Sequence, residues 1–104
     1  MDQEIHKIVT ELKTKISNKY LLHEIKVFGS SARGDRRTDS DIDVFIHLSR
    51  VDRRIEEDLF DMAYDLELKH DCLIDIIVFD DVALKGTFAR TQIYHEVLSE
   101  GMAV

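Results

Sequence analysis

Glu24-Ile25-Lys26-Val27-Phe28-Gly29-Ser30-Ser31-Ala32-Arg33-Gly34, followed six residues later by Asp41-Ile42-Asp43-Val44-Phe45-Ile46-His47-Leu48, is the stretch that decides the fold. Residues 24–28 alternate polar and apolar and stop at a glycine, which is the pattern of a short half-buried strand. Residues 41–48 form a second strand. Alternation puts Asp41 and Asp43 on one side and Ile42 and Val44 on the other. The segment 29–40 between them is polar and holds two of the four glycines and three arginines, Arg33, Arg36 and Arg37. About a dozen residues, partly used in a turn, favour an antiparallel pair over a crossover.

Amphipathic helices flank this pair. Ile5, Ile8, Val9, Leu12 and Ile16 recur at helical spacing within residues 2–18, with Asp2 as the N-cap. Ile55, Leu59, Met62, Ala63 and Leu66 mark a second, longer helix over 52–70. Residues 73–79 read as a third strand, apolar except for Asp75. A last helix is expected over 88–100, with Ile93 and Val97 inward and Gly101 just past its end. A helix between the second and third strands permits a right-handed crossover and hence a parallel pair. The fold class is α/β with an α+β character: a small mixed sheet of three to four strands packed with helices.

The chain of 104 residues fits a single domain, 1–104. Fourteen basic against 21 acidic residues give a net charge of −7, a poor basis for sequence-independent nucleic-acid binding. No apolar run approaches the roughly 20 residues that span a bilayer, and the polar, acidic start Met-Asp-Gln-Glu does not read as a secretory signal. The one cysteine, Cys72, lies in an apolar stretch and reads as a small buried hydrophobe. A reduced, cytoplasmic setting is the expectation.

The chemistry concentrates in the quoted stretch. Two carboxylates projecting in parallel, with Cα atoms roughly 7 Å apart, repel unless a positive group sits between them. Mg²⁺ suits that place, because it takes hard oxygen ligands from one or two carboxylates plus substrate phosphates. Asp75, in a strand otherwise built for burial, is costly unless paired or metal-bound. If the third strand lies beside the second, Asp75 completes a set of three. Gly29 allows a tight turn and a close backbone approach, while Ser30 and Ser31 offer hydroxyls and N–H groups to phosphate oxygens. Arg33 adds positive charge, and Ser40 can cap or orient the loop before the strand. Arg36 and Arg37 read as surface charge.

Two other motifs fail on particular residues. Gly29 and Gly34 frame a P-loop, but Asp35 and Arg36 stand where Lys and Ser or Thr are required. Asp39, Asp41 and Asp43 imitate the start of an EF-hand, yet Val44 takes the glycine position and Arg50 the final glutamate.

Gly29, Ser30, Arg33, Gly34, Ser40, Asp41 and Asp43, with Asp75 in a later strand, resemble the signature of the DNA polymerase β-type nucleotidyltransferases. The short chain resembles the minimal members of that superfamily, which pair as antitoxins with HEPN-domain toxins. The resemblance implies transfer of a nucleoside monophosphate, AMP from ATP, to a hydroxyl of a partner protein. It also implies two Mg²⁺ ions on Asp41, Asp43 and Asp75, and a nucleotide held at Gly29, Ser30, Ser31, Arg33 and Ser40. An antitoxin acting by contact alone is a second reading. A transferase acting on a small molecule is a third, disfavoured because the core leaves no second domain to grip such an acceptor. The five histidines are scattered and none stands at metal spacing with a second ligand, so they read as structural or surface groups. His47 is the mild exception, since it shares the parity of Asp41 and Asp43.

Overall fold

A computed structural model of the chain describes residues 1–33 and 41–104, with Arg33 described by its backbone alone. The chain begins with helix α1, Gln3–Ser17, whose first turn is capped by Asp2 accepting from the Glu4 N–H at 2.7 Å. Strand β1, Leu22–Phe28, leads through Gly29 into a single turn of helix α2, Ser30–Arg33. Strand β2, Ile42–Leu48, runs into α3, Arg53–His70, capped by Asp52 accepting from the Ile55 N–H at 2.8 Å. Strand β3, Ile74–Phe79, is followed by α4, Asp81–Lys85, a 3-10 turn over Thr87–Arg90, and α5, Gln92–Glu100. A two-residue strand β4, Met102–Ala103, comes last.

The sheet order is β3-β2-β1-β4. β1 pairs antiparallel with β2 and with β4, whereas β2 and β3 are parallel, joined through α3. The mixed sheet and both expected pairings are therefore present. Alternation in β2 sends Ile42, Val44, Ile46 and Leu48 to one face, none more than 1% exposed. They pack with Ile5, Leu12 and Ile16 of α1 and Leu59 and Leu66 of α3 in the main core. The opposite face carries a smaller cluster of Phe28, Phe45 and Val97, with Phe79, Phe88 and Tyr94 around it.

Three expectations change. The last helix is not continuous over 88–100: Thr91 is extended and caps α5, and the preceding residues form α4 and the 3-10 turn. Aromatic packing explains the break, since Phe88 stacks on Phe79 with centroids 3.4 Å apart. Ile93 is 45% exposed and does not face inward, whereas Val97 is fully buried. β4 was too short to announce itself; it forms because Gly101 turns the chain back along β1, and a Cβ there would lie 2.3 Å from the Val97 carbonyl oxygen. Cys72 is half-buried against the main core rather than enclosed by it.

Helix α1 and the turn that follows it are also tied to α3 by charge. Asp58 accepts from Lys19 Nζ at 2.7 Å and from the Tyr20 hydroxyl at 2.5 Å. Those two donors hold the Asp58 carboxyl below the usual carboxylate range. Lys69, with His70, does the same for Glu11, and the Ile55 N–H for Asp52. Each of these carboxyls binds protons less readily folded than unfolded, so its stabilising contribution is present at neutral pH. That contribution is lost as pH falls below about 4 and through the lowered folded values. Urea unfolding at pH 7 and pH 3 should show this loss of stability, and Asp58→Asn should lower stability at pH 7 and make the loss on acidification shallower.

Candidate nucleotide and metal site

The site sits where β1 ends and where β2 and β3 begin. Gly29 follows β1 with φ +66°, the left-handed region that favours glycine. It also lies against β2: a Cβ at Gly29 would fall 2.7 Å from Asp43 Oδ2. The turn closes with the Ala32 N–H donating to the Gly29 carbonyl at 3.1 Å. Ser31 is fully buried, and its hydroxyl donates to the Asp41 carbonyl at 3.4 Å. Its side chain thus braces the approach to β2.

Asp43 is half-buried on β2, opposite Phe28 of β1 and beside Asp75 of β3 in the parallel register. Neighbouring strands lie about 4.8 Å apart, which makes the two carboxylates lateral neighbours on the same face. Asp41 precedes β2 and is exposed. Asp75 is exposed too, although its strand is apolar. The expected burial cost does not arise, because the face that carries Asp75 is open at this end of the sheet. Glu67 helps fix the start of β3: its Oε2 accepts from the Ile74 N–H at 2.8 Å. The Ile42 N–H donates to the Leu73 carbonyl at 2.8 Å and so begins the β2–β3 ladder one step before the acids. Nothing in the spacing of Glu67 marks it for this task.

Gly29, Ser31, Asp41, Asp43 and Asp75 are therefore gathered at one end of the sheet, with Ser30 half-buried beside them. Arg33 lies in α2, and its side chain, like Gly34, Arg36, Arg37 and Ser40, falls outside the described residues. Hard carboxylate oxygens on adjacent strands are the donor set that Mg²⁺ prefers, next to a glycine turn that lets backbone approach a phosphate.

His47 shares the face of Asp43 but stands at the far end of β2. It does have partners, contrary to the reading of the histidines as scattered. His47 Nε2 lies 2.7 Å from Asp81 Oδ1, and His23 Nε2 lies 3.6 Å from the same oxygen. Sequence spacing hides this group, since its members come from β1, β2 and α4.

Gly29→Ala should destabilise the protein by about 1–2 kcal/mol from backbone strain alone, and more because Asp43 must give way. Urea melts measure the loss, and Gly86→Ala, where an added Cβ meets nothing closer than 3.5 Å, provides the control.

The fold is shared with solved structures. A chain of a toxin–antitoxin complex with AMP-PNP superimposes with a TM-score of 0.67 at 21% identity, over 95% of this chain and 70% of that one. A chain from tri-AMPylated Shewanella oneidensis HEPN toxin in complex with MNT antitoxin gives 0.61 at 18% identity, over 99% and 71%. Among curated relatives, the protein adenylyltransferase MntA of Thermococcus cleftensis is 29% identical over 86% of both chains. A Methanocaldococcus jannaschii protein with a provisional protein adenylyltransferase name is 37% identical over 97% of this chain and 99% of its own. The family model of the nucleotidyltransferase domain matches residues 5–98, and the chain accordingly belongs to that family as one of its minimal nucleotidyltransferases.

Proposed function

We propose that the chain transfers AMP from ATP to a hydroxyl of a partner protein in the cytoplasm, and that the partner is a HEPN-domain toxin which it neutralises as an antitoxin. The observation that carries this reading is the register of Asp43 beside Asp75, one strand from the left-handed Gly29 turn. The names of the similar proteins, adenylyltransferases and toxin–antitoxin complexes, support the choice of nucleotide and partner.

Asp41, Asp43 and Asp75 would hold divalent metal, two Mg²⁺ ions in this reading. When bound, such ions lower the charge on the triphosphate and stabilise the departing pyrophosphate. The chain's own residues do the rest. The backbone from Gly29 through Ser31 holds the β- and γ-phosphates, with Arg33 and Ser40 as further nucleotide contacts. Asp75, the most open carboxylate of the β2–β3 pair, accepts the proton of the incoming hydroxyl. The hydroxyl oxygen bonds to the α-phosphorus as the bond to pyrophosphate breaks on the opposite side. Catalysis is positioning and electrostatics, with no covalent enzyme intermediate.

A protein acceptor agrees with the outer face of α3. Phe60, Tyr64 and Leu68 lie four residues apart there and are 48%, 57% and 66% exposed. An apolar stripe of that kind suits a protein partner better than a small molecule. It also keeps open an antitoxin that inhibits by contact.

Incubation with Mg²⁺, α-labelled ATP and the product of any neighbouring gene that encodes a HEPN-domain protein tests both readings. Wild type should label the toxin and abolish its toxicity in cells. Asp43→Asn and Asp75→Asn should each lower labelling by roughly 100-fold or more while still binding the toxin. Undiminished neutralisation by Asp75→Asn, with labelling lost, would establish inhibition by contact. Labelling at the normal rate in both variants would remove the assigned acids from the reaction.

A further inference from the structure

The face that carries the acids at one end carries a second cluster of ligand-type side chains at the other. The ligand atoms of His23, His47 and Asp81 all lie within 4.8 Å of one another. The two imidazole rings are 4.9 Å apart between centroids. The cluster lines an open groove of about 520 Å³ together with Glu24, Leu84 and Lys85.

A backbone irregularity creates it. The β1–β2 register shifts between Leu22 and Glu24: Leu22 pairs with Leu48, yet Glu24 pairs with His47. One extra residue, His23, is thereby accommodated on β1, as in a β-bulge. Leu22 and Ile25 both remain against the main core, and His23 and Glu24 are both released to the opposite face beside His47. Without the shift, strict alternation would place only one of them there. The third ligand comes from the start of α4. Asp80 is committed to capping that helix, accepting from the Ala83 N–H at 2.9 Å, which leaves Asp81 to turn toward the histidines.

We propose that His23, His47 and Asp81 form a binding site for a divalent transition metal of the Zn²⁺ class, separate from the acidic end and independent of the function proposed above. Two imidazoles and one carboxylate make a three-ligand set with a fourth position open to solvent. Tetrahedral coordination requires ligand atoms about 3.4 Å apart. His47 and Asp81, now 2.7 Å apart, therefore separate slightly around the ion, while any wider gap, at most 4.8 Å, closes toward that spacing. Ligation also exchanges the present contact of His23 Nε2 with the Ser49 hydroxyl, at 2.7 Å, for a metal bond. The Glu24 carboxylate is engaged by Lys26 Nζ at 3.0 Å and is not needed. Imidazole-rich sites favour Zn²⁺ and its neighbours over Mg²⁺, whereas the all-carboxylate end has the opposite preference. The ion would clamp α4 onto β1 and β2.

Titration of metal-free protein with Co²⁺ tests the site, because tetrahedral Co²⁺ with nitrogen ligands has a strong visible spectrum and is displaced by Zn²⁺. One equivalent per chain is expected. His23→Ala, His47→Gln and Asp81→Asn should each weaken binding by roughly 100-fold or more, and the double variant Asp43→Asn/Asp75→Asn should retain it. Zn²⁺ at a hundredfold excess over Kd should raise the wild-type Tm by on the order of 10 °C and leave the His47→Gln Tm unchanged. Asp81→Asn keeps the helix cap on Asp80, and metal-free circular dichroism checks that each variant is folded. No Co²⁺ binding by wild type, or a spectrum retained in the histidine variants and lost in the double aspartate variant, would overturn the proposal.

Discussion

Burial of one face of β2 is the constraint on which the rest of the molecule depends. Ile42, Val44, Ile46 and Leu48 are removed from water almost completely by α1 and α3. A slip of one residue would turn all four outward and bring Asp43, Phe45 and His47 into the core. The register is therefore held by apolar burial, worth roughly 1.5–3 kcal/mol for each such side chain. The acids are positioned as a by-product. They need no mutual attraction, and indeed repel, because the energy that holds them side by side is supplied on the other face of the strand.

The same logic fixes β3. Ile74 and Ile76 are buried in the main core, and that choice of face sends Asp75 to the side of Asp43. Parallel pairing then aligns the two acids at the beginnings of their strands, while antiparallel pairing brings the end of β1, and with it Gly29, to the same edge. Two orientations in one sheet allow a turn leaving one strand to meet carboxylates entering two others. The tight contact between Gly29 and Asp43 follows from that convergence, and it is why a side chain is excluded there.

What was legible in the sequence follows this division. Period-2 patterning in 42–48 and helical patterning in α1 and α3 reflect burial on a single face, so the elements, their pairings and the parity of the acids could be read directly. The chain beyond β3 could not be read in the same way. Its apolar residues, Leu84, Phe88, Tyr94 and Val97, serve a small aromatic cluster rather than one helical face, and helical spacing across 88–100 missed the break at Thr91. The exposure of Asp75 was missed because the apolar neighbours of its own strand suggested burial on both sides. The His23–His47–Asp81 group was invisible for a different reason. It depends on a register shift of one residue, and alternation read on β1 alone carries no sign of which residue will be accommodated.

The second face of the sheet is thus divided along the strands. Asp43 and Asp75 stand at one end, Phe45 and Ile77 follow, and His47 and Phe79 come next, two residues farther along each strand. Four residue steps along β2 take Asp43 to His47, about 13 Å at roughly 3.3 Å per step. An apolar layer, Phe45 and Ile77, lies between the two ends, with Phe45 only 2% exposed. Hard oxygen donors and imidazole donors are consequently held apart on one rigid element. If both proposed sites bind metal, a cation preferring oxygen and one preferring nitrogen would each occupy its own end without competing for ligands. Such separation requires a strand whose position is fixed from behind, and the buried isoleucine, valine and leucine side chains of β2 supply that fixation.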